Sequence, residues 1–210
     1  KSAYNTTDLD KLVVIFGGGY DSKKDNPGVN SNDDDDGSAI YMVNARTGNK
    51  IFKQRTGSDN GVASSIASLD SDSDGLVDRL YTGDTGGNVF RLDMPDNSKT
   101  NRSIFKLAEL GSNTDLEDRR FFNEPTIVRT YLLESTNTGT DFEPNIVKKE
   151  VPYDAILLGS GDRATPTDID TDDMFFMIKD KYIKTQKFGS TPATSVPSAI
   201  TLGMLYNYTN

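Results

Sequence analysis

Asp70-Ser71-Asp72-Ser73-Asp74-Gly75-Leu76-Val77-Asp78 runs straight into Arg79-Leu80-Tyr81-Thr82-Gly83. The first nine residues put side-chain oxygens at loop positions 1, 3, 5 and 9 and glycine at position 6. Calcium takes six to eight oxygen ligands, and this spacing is the EF-hand way of supplying them, with the glycine at the sharp turn. Leu76, at position 7, offers its backbone carbonyl. An EF-hand would carry a bidentate Glu at position 12 and enter a helix there, but position 12 is Tyr81 in a segment patterned as a strand. The pattern predicts a calcium loop set between two β-strands, with Asp70, Asp72, Asp74, Leu76 and Asp78 as ligands and Asp78 closing the loop. A solvated acidic turn would carry the same charge without needing this register.

Outward from the loop, the chain repeats. Three apolar runs end in a small-residue turn: Leu12-Val13-Val14-Ile15-Phe16-Gly17-Gly18-Gly19, Asp78-Arg79-Leu80-Tyr81-Thr82-Gly83-Asp84 and Ala155-Ile156-Leu157-Leu158-Gly159-Ser160-Gly161. Each is followed by a second strand-like run (39–44, 88–93, 174–179) and a third (50–54, 103–107, 182–186). Two sets have an extra strand in front, at 62–69 and 125–131. Four-stranded meanders in tandem are the mark of β-propeller blades. We therefore expect an all-β fold: part of a β-propeller with about three four-stranded antiparallel blades and long loops. One domain over 1–210 is predicted, with blades at 11–56 (incomplete), 62–108 and 124–188 and a tail at 190–210 holding a further strand or short helix. Polar stretches at 21–37, 109–123, 133–150 and 161–172 are predicted as surface loops. Residues 114–122 offer at most a single helical turn, with Thr114 and Glu117 in a capping-box pattern. Three blades do not close a ring, so the chain reads as an internal piece of something longer; it opens at Lys1-Ser2-Ala3 without Met.

Composition narrows the chemistry. The 210 residues carry a net charge of −9 and contain no Cys, no His and no Trp. Without Cys there are no disulfides, thiol nucleophiles or thiolate metal sites. Without His the usual general base and most transition-metal sites are gone. The acidic balance, with no Lys/Arg cluster, argues against nucleic acid as a partner, and no apolar run is long enough to insert in a membrane. Acid-rich loops suit a divalent cation, and the calcium loop points to an extracellular or periplasmic setting.

The segment from Asp59 to Asp93 also resembles a known family. Asn60-Gly61, the 70–78 loop, Tyr81-Thr82-Gly83-Asp84, Gly87-Asn88 and Arg91-Leu92-Asp93 match the calcium-loop region of the PilC/PilY family, the type IV pilus tip-associated adhesins. Val14-Ile15-Phe16-Gly17-Gly18-Gly19-Tyr20, Gly159-Ser160-Gly161-Asp162-Arg163 and Phe175-Phe176-Met177-Ile178-Lys179-Asp180 extend the resemblance over most of 11–180. It implies a quinoprotein-like, calcium-regulated C-terminal β-propeller at the pilus tip, exported through the periplasm to the cell surface. The partners implied are minor pilins and a host-cell or abiotic surface receptor, and the roles are pilus extension and retraction, twitching motility and adhesion. The family often has Trp where Asn88-Val89-Phe90-Arg91 stands, and phenylalanine fills that packing role here. No Arg-Gly-Asp integrin motif is present.

Other constellations are weaker. Asp33-Asp34-Asp35-Asp36 is expected to be a solvated charge run. Residues 168–173 alternate acids, but Asp173 stands where the loop glycine belongs. Gly17-Gly18-Gly19 and Gly83-Asp84-Thr85-Gly86-Gly87 lack the following helix of a phosphate loop and are read as strand-end turns, with Asp84 and Asp93 bonding backbone groups. The expected function is calcium binding without catalysis. The alternatives are a quinoprotein-like oxidoreductase, disfavoured by the missing Trp, and a propeller whose calcium is purely structural.

Overall fold

The computed structural model describes residues 12–25, 37–96, 98–140, 142–167, 169–189 and 195–207. They form an all-β fold of three sheets. The first contains β1 (Val13–Gly17), β2 (Ala39–Asn44) and β3 (Lys50–Arg55), antiparallel in that order. Its second turn is built by Asn44, whose Oδ1 accepts from the backbone N–H groups of Arg46 and Thr47 while Gly48 adopts φ 72°.

The middle sheet holds β4 (Ala67–Leu69), β5 (Arg79–Gly83), β6 (Asn88–Asp93) and β7 (Ser103–Glu109), with β11 (Ile200–Thr201) added parallel to β7. Every residue of β5 and β6 is buried, which requires cover on both faces. Alternation sorts the side chains. Leu80 and Leu92 pack with Met94 against Ile40, Met42 and Phe52 of the first sheet. Tyr81, Val89 and Phe105 pack against Ile156, Leu158, Phe176 and Ile178 of the third sheet. The period-2 pattern thus gives the middle sheet two core layers, and Arg79, Tyr81 and Arg91 all turn toward the third sheet.

The third sheet contains β8 (Thr126–Asn137), β9 (Ile146–Gly159) and β10 (Phe175–Asp180). Three expectations are corrected here. The stretch 133–150 is largely not a loop: β8 and β9 form a long hairpin whose register runs from Thr126↔Leu157 to Asn137↔Ile146. Cross-strand pairs such as Glu134↔Lys149, with Thr, Val and Ile nearby, sustain a ladder without burial. β10 pairs only with the Asp154–Gly159 end of β9, so the far half of the hairpin projects alone, with Tyr131, Leu133 and Ile146 more than half exposed.

The second correction is at 62–69, where only Ala67–Leu69 is a strand. Backbone groups further upstream bind elsewhere: the Gly19 N–H donates to the Val62 carbonyl, and the Val62 N–H to that of Gly37. The third is at 182–186, expected as the last strand of the third blade. It is irregular because the carbonyls of Tyr182, Ile183 and Lys184 accept hydrogen bonds from buried arginines instead of from a neighbouring strand. The sheets are therefore three-, five- and three-stranded, and they form no closed barrel. In the tail, the short strand Ile200–Thr201 is followed by a 3-10 turn at Leu202–Met204. The single turn expected after Thr114 is the 3-10 turn Asp115–Glu117.

Candidate metal site

The 70–78 loop links β4 to β5 at the edge of the middle sheet, closed at its neck by the Asp78 N–H donating to the Leu69 carbonyl at 3.1 Å. Within it, the Asp70 carboxylate accepts from Asp74 N at 3.2 Å and Gly75 N at 2.8 Å, and Asp74 Oδ1 accepts from Leu76 N at 2.9 Å. These bonds fold the backbone back over Asp70. The fold-back needs left-handed residues, Ser73 at φ 62° and Gly75 at φ 84°. A Cβ on Gly75 would meet nothing, so glycine is there for its backbone freedom and not for space.

Asp70, Asp72 and Asp78 each bring a carboxylate oxygen within 4.8 Å of the others. Ligands across a calcium ion lie roughly 4.6–5.2 Å apart, twice the usual oxygen distance. The donor set is all oxygen and all anionic, so the residues fit a hard divalent cation of calcium's size. Asp74 stands outside that trio, its carboxylate turned to the Leu76 N–H, and Leu76 is half-buried. Among the described residues no second such cluster occurs. Asp33 to Asp36 and Asp168 lie outside the described residues; Asp173 accepts from the Ser160 hydroxyl, and Asp172 lies 3.7 Å from Arg119.

Asp78 differs from the other acids in being buried, 1% exposed. Its Oδ1 accepts from Ser71 N at 3.1 Å and its Oδ2 from the Ser71 hydroxyl at 2.8 Å. The Ser71 hydroxyl lies 2.9 Å from that of Thr185, which accepts from Arg79 Nη2 at 3.1 Å. Behind this relay lies an ionic layer between the middle and third sheets that sequence reasoning did not foresee. Arg91 grips Asp93 through Nε and Nη2, both at 2.7 Å, and reaches Asp180 at 2.7 Å. Arg79 holds Asp154 at 2.7 Å, and Arg129 binds the same carboxylate from outside at 2.8 Å. The Tyr81 hydroxyl donates to Asp180 at 2.8 Å.

Burial opposes the Arg91 charge, but Asp93 and Asp180 beside it hold its pKa above the ordinary value. Burial raises the Tyr81 hydroxyl pKa, and the Asp180 charge adds to the effect. Asp93 is pushed upward by burial, against the pull of Arg91 and Arg79. The sequence did carry a signal: charged residues at inward-facing positions of otherwise apolar strands, as in Arg79-Leu80-Tyr81 and Arg91-Leu92-Asp93.

Residues 3–194 match the family model described as the PilY1 beta-propeller domain. The chain belongs to the PilY1 β-propeller family. A curated relative, the type IV pilus biogenesis factor PilY1 of Pseudomonas aeruginosa, is 31% identical over 100 residues, covering 44% of this chain and 8% of that protein. The crystal structure of the Pseudomonas aeruginosa PilY1 C-terminal domain superposes with a TM-score of 0.53 at 20% identity, over 90% of this chain and 37% of that one. The fold is therefore shared, and the chain spans well under half the length of either relative. The propeller read from the repeat is thus a propeller of this family, and no helix among the described residues is long and apolar enough to cross a membrane.

Proposed function

We propose that this chain is the calcium-binding propeller portion of a type IV pilus biogenesis factor at the pilus tip. It acts by binding and regulation, without catalysis. The observation that carries this reading is the convergence of Asp70, Asp72 and Asp78 on one point of a family-matched propeller. Asp74 and the Leu76 carbonyl complete the ligand set when the loop closes on the ion. The bound ion supplies positive charge that offsets the repulsion of four aspartates; the chain's own residues fold the loop and orient Asp78. Occupancy then regulates pilus extension and retraction, hence twitching motility, and adhesion to host cells or surfaces, with minor pilins as partners. The protein works outside the cell, after export through the periplasm.

Calorimetric calcium titration of the full chain and of Asp72→Asn tests the metal site; Asp72 is exposed, so the variant keeps its fold. Affinity is expected to drop about tenfold or more with one ligand charge removed; equal heats would refute the site. Twitching and attachment assays with the same substitution test regulation. Normal, still calcium-responsive pilus behaviour would leave the ion a structural role only.

A further inference from the structure

We infer that calcium at the 70–78 loop is read out at the junction between the middle and third sheets, through Ser71 and Thr185. This deepens the calcium reading above and rests on it. Ser71 sits between Asp70 and Asp72, so chelation by those two residues fixes its backbone whatever the remaining ligands do. Ser71 is also where the loop meets the third sheet. Its N–H and hydroxyl donate to Asp78, its hydroxyl meets Thr185, and its carbonyl accepts from Arg129 Nη1 at 3.1 Å.

Proton bookkeeping gives the relay a direction. Thr185 Oγ1 accepts from Arg79, and the Ser71 hydroxyl spends its proton on Asp78 at 2.8 Å. The Thr185 proton therefore goes to Ser71 Oγ at 2.9 Å or to Asp78 Oδ1 at 3.4 Å, each of which accepts. Every bond from Arg79 toward the loop points at the Asp78 carboxylate. At the other end, Arg79 Nη2 also holds the Ile183 carbonyl at 2.7 Å. Arg79 Nε has no hydrogen-bond partner and stands 3.8 Å from Asp93, so the acids do not saturate the guanidinium, and Thr185 and Ile183 on Nη2 share its positioning with Asp154 on Nη1.

Two lines thus leave the loop. One runs through Thr185 and Arg79 to the irregular segment 181–186. The other runs through Arg129 to Asp154 at the base of the β8–β9 hairpin. With the loop closed on a cation, both anchor points are held; with the acids repelling, Ser71 moves and both loosen. Ser71 and Thr185 are positioning residues, since neither is one of the ligands. By linkage, whatever calcium adds to the junction, the junction returns as calcium affinity.

The test is amide hydrogen exchange on the full chain, with calcium and with chelator, on wild type, Thr185→Val and Asp72→Asn, alongside calcium calorimetry. In wild type, calcium is expected to slow exchange in 181–186 and around 129–131 as well as in the loop. In Thr185→Val, calcium still protects 70–78, but protection of 181–186 is lost and affinity falls about tenfold. Asp72→Asn weakens all three effects together, in step with its lower calcium affinity. Protection confined to 70–78 in wild type, or undiminished protection of 181–186 in Thr185→Val, would overturn the coupling while leaving the metal site intact. Absence of calcium heat in wild type would overturn the site and the coupling together.

Discussion

Two clusters of aspartates lie side by side in this molecule, and they are opposites. At the junction, Asp93, Asp154 and Asp180 face Arg79, Arg91 and Arg129, so acids and cations match one for one. In the loop, Asp70, Asp72, Asp74 and Asp78 share nine residues with no Lys or Arg. The junction is closed to solvent apart from Arg129, which caps it from the surface, and the loop is mostly open. A buried charge must bring its counter-charge within the chain, because none can be fetched later. A partly exposed one can leave that place to an ion from solution. The difference teaches that acidity alone marks neither cluster; the supply of cations does.

The largest expected effect breaks the balanced cluster. Asp154→Ala strands Arg79 without its 2.7 Å partner and should cost about 3–5 kcal/mol, read from denaturant midpoints. A loss under 1 kcal/mol would mean the junction is not the sealed layer described.

Asp84 offers a third condition, a fully buried acid that forms no salt bridge among the described residues. It accepts from the N–H groups of Gly86 and Asn88 and from the Asn88 amide, all within 3.1 Å. Burial nevertheless pushes its pKa up from 3.8 to about 6. A carboxyl raised on folding stabilises most below its unfolded pKa and loses that contribution as pH rises through the folded one. Asp84 therefore contributes about 3 kcal/mol at acid pH that disappears between roughly pH 4 and 6. Asp84→Asn should remove that slope from a stability–pH curve; an unchanged slope would show the carboxyl ionises normally.

In the unbalanced cluster, calcium at a hundred times the wild-type dissociation constant should add about 2.7 kcal/mol to wild type and about 1.4 kcal/mol or less to Asp72→Asn. With chelator the order should reverse, Asp72→Asn being the more stable by a few tenths of a kcal/mol through relief of repulsion, about as much as a surface pair. Thermal unfolding in the two buffers reads both signs. The smallest effect belongs to the exposed pair Lys106–Glu109 at 2.6 Å, where Glu109→Gln should change stability by about 0.5 kcal/mol or less.

The propeller was legible because its core strands include apolar runs that end in glycine, as β1 does at Gly17 and β9 at Gly159. The candidate loop was legible because its aspartates lie within nine consecutive residues. What sequence missed is contact between distant residues. Thr185 meets Asp78 across more than a hundred positions, and nothing local in Tyr182-Ile183-Lys184-Thr185-Gln186 says that its carbonyls serve arginines instead of a neighbouring strand. The 133–150 stretch misled for the opposite reason. Its polar composition suits a loop, yet strand pairing needs only backbone and register, which Asn137 secures by accepting at 3.0 Å from both Gly139 N and Asn145 N.

That hairpin has a consequence of its own. Beyond Asp154 its two strands have only each other, so their opening is not tied to the melting of the core. The tip, where Phe142 is 97% exposed, should unzip at almost no energetic expense, close again in microseconds, and offer proteases their first cut. A chain nicked there would still hold its halves together through the lower rungs, so cleavage would pass unnoticed in any assay of the fold and show only on a denaturing gel.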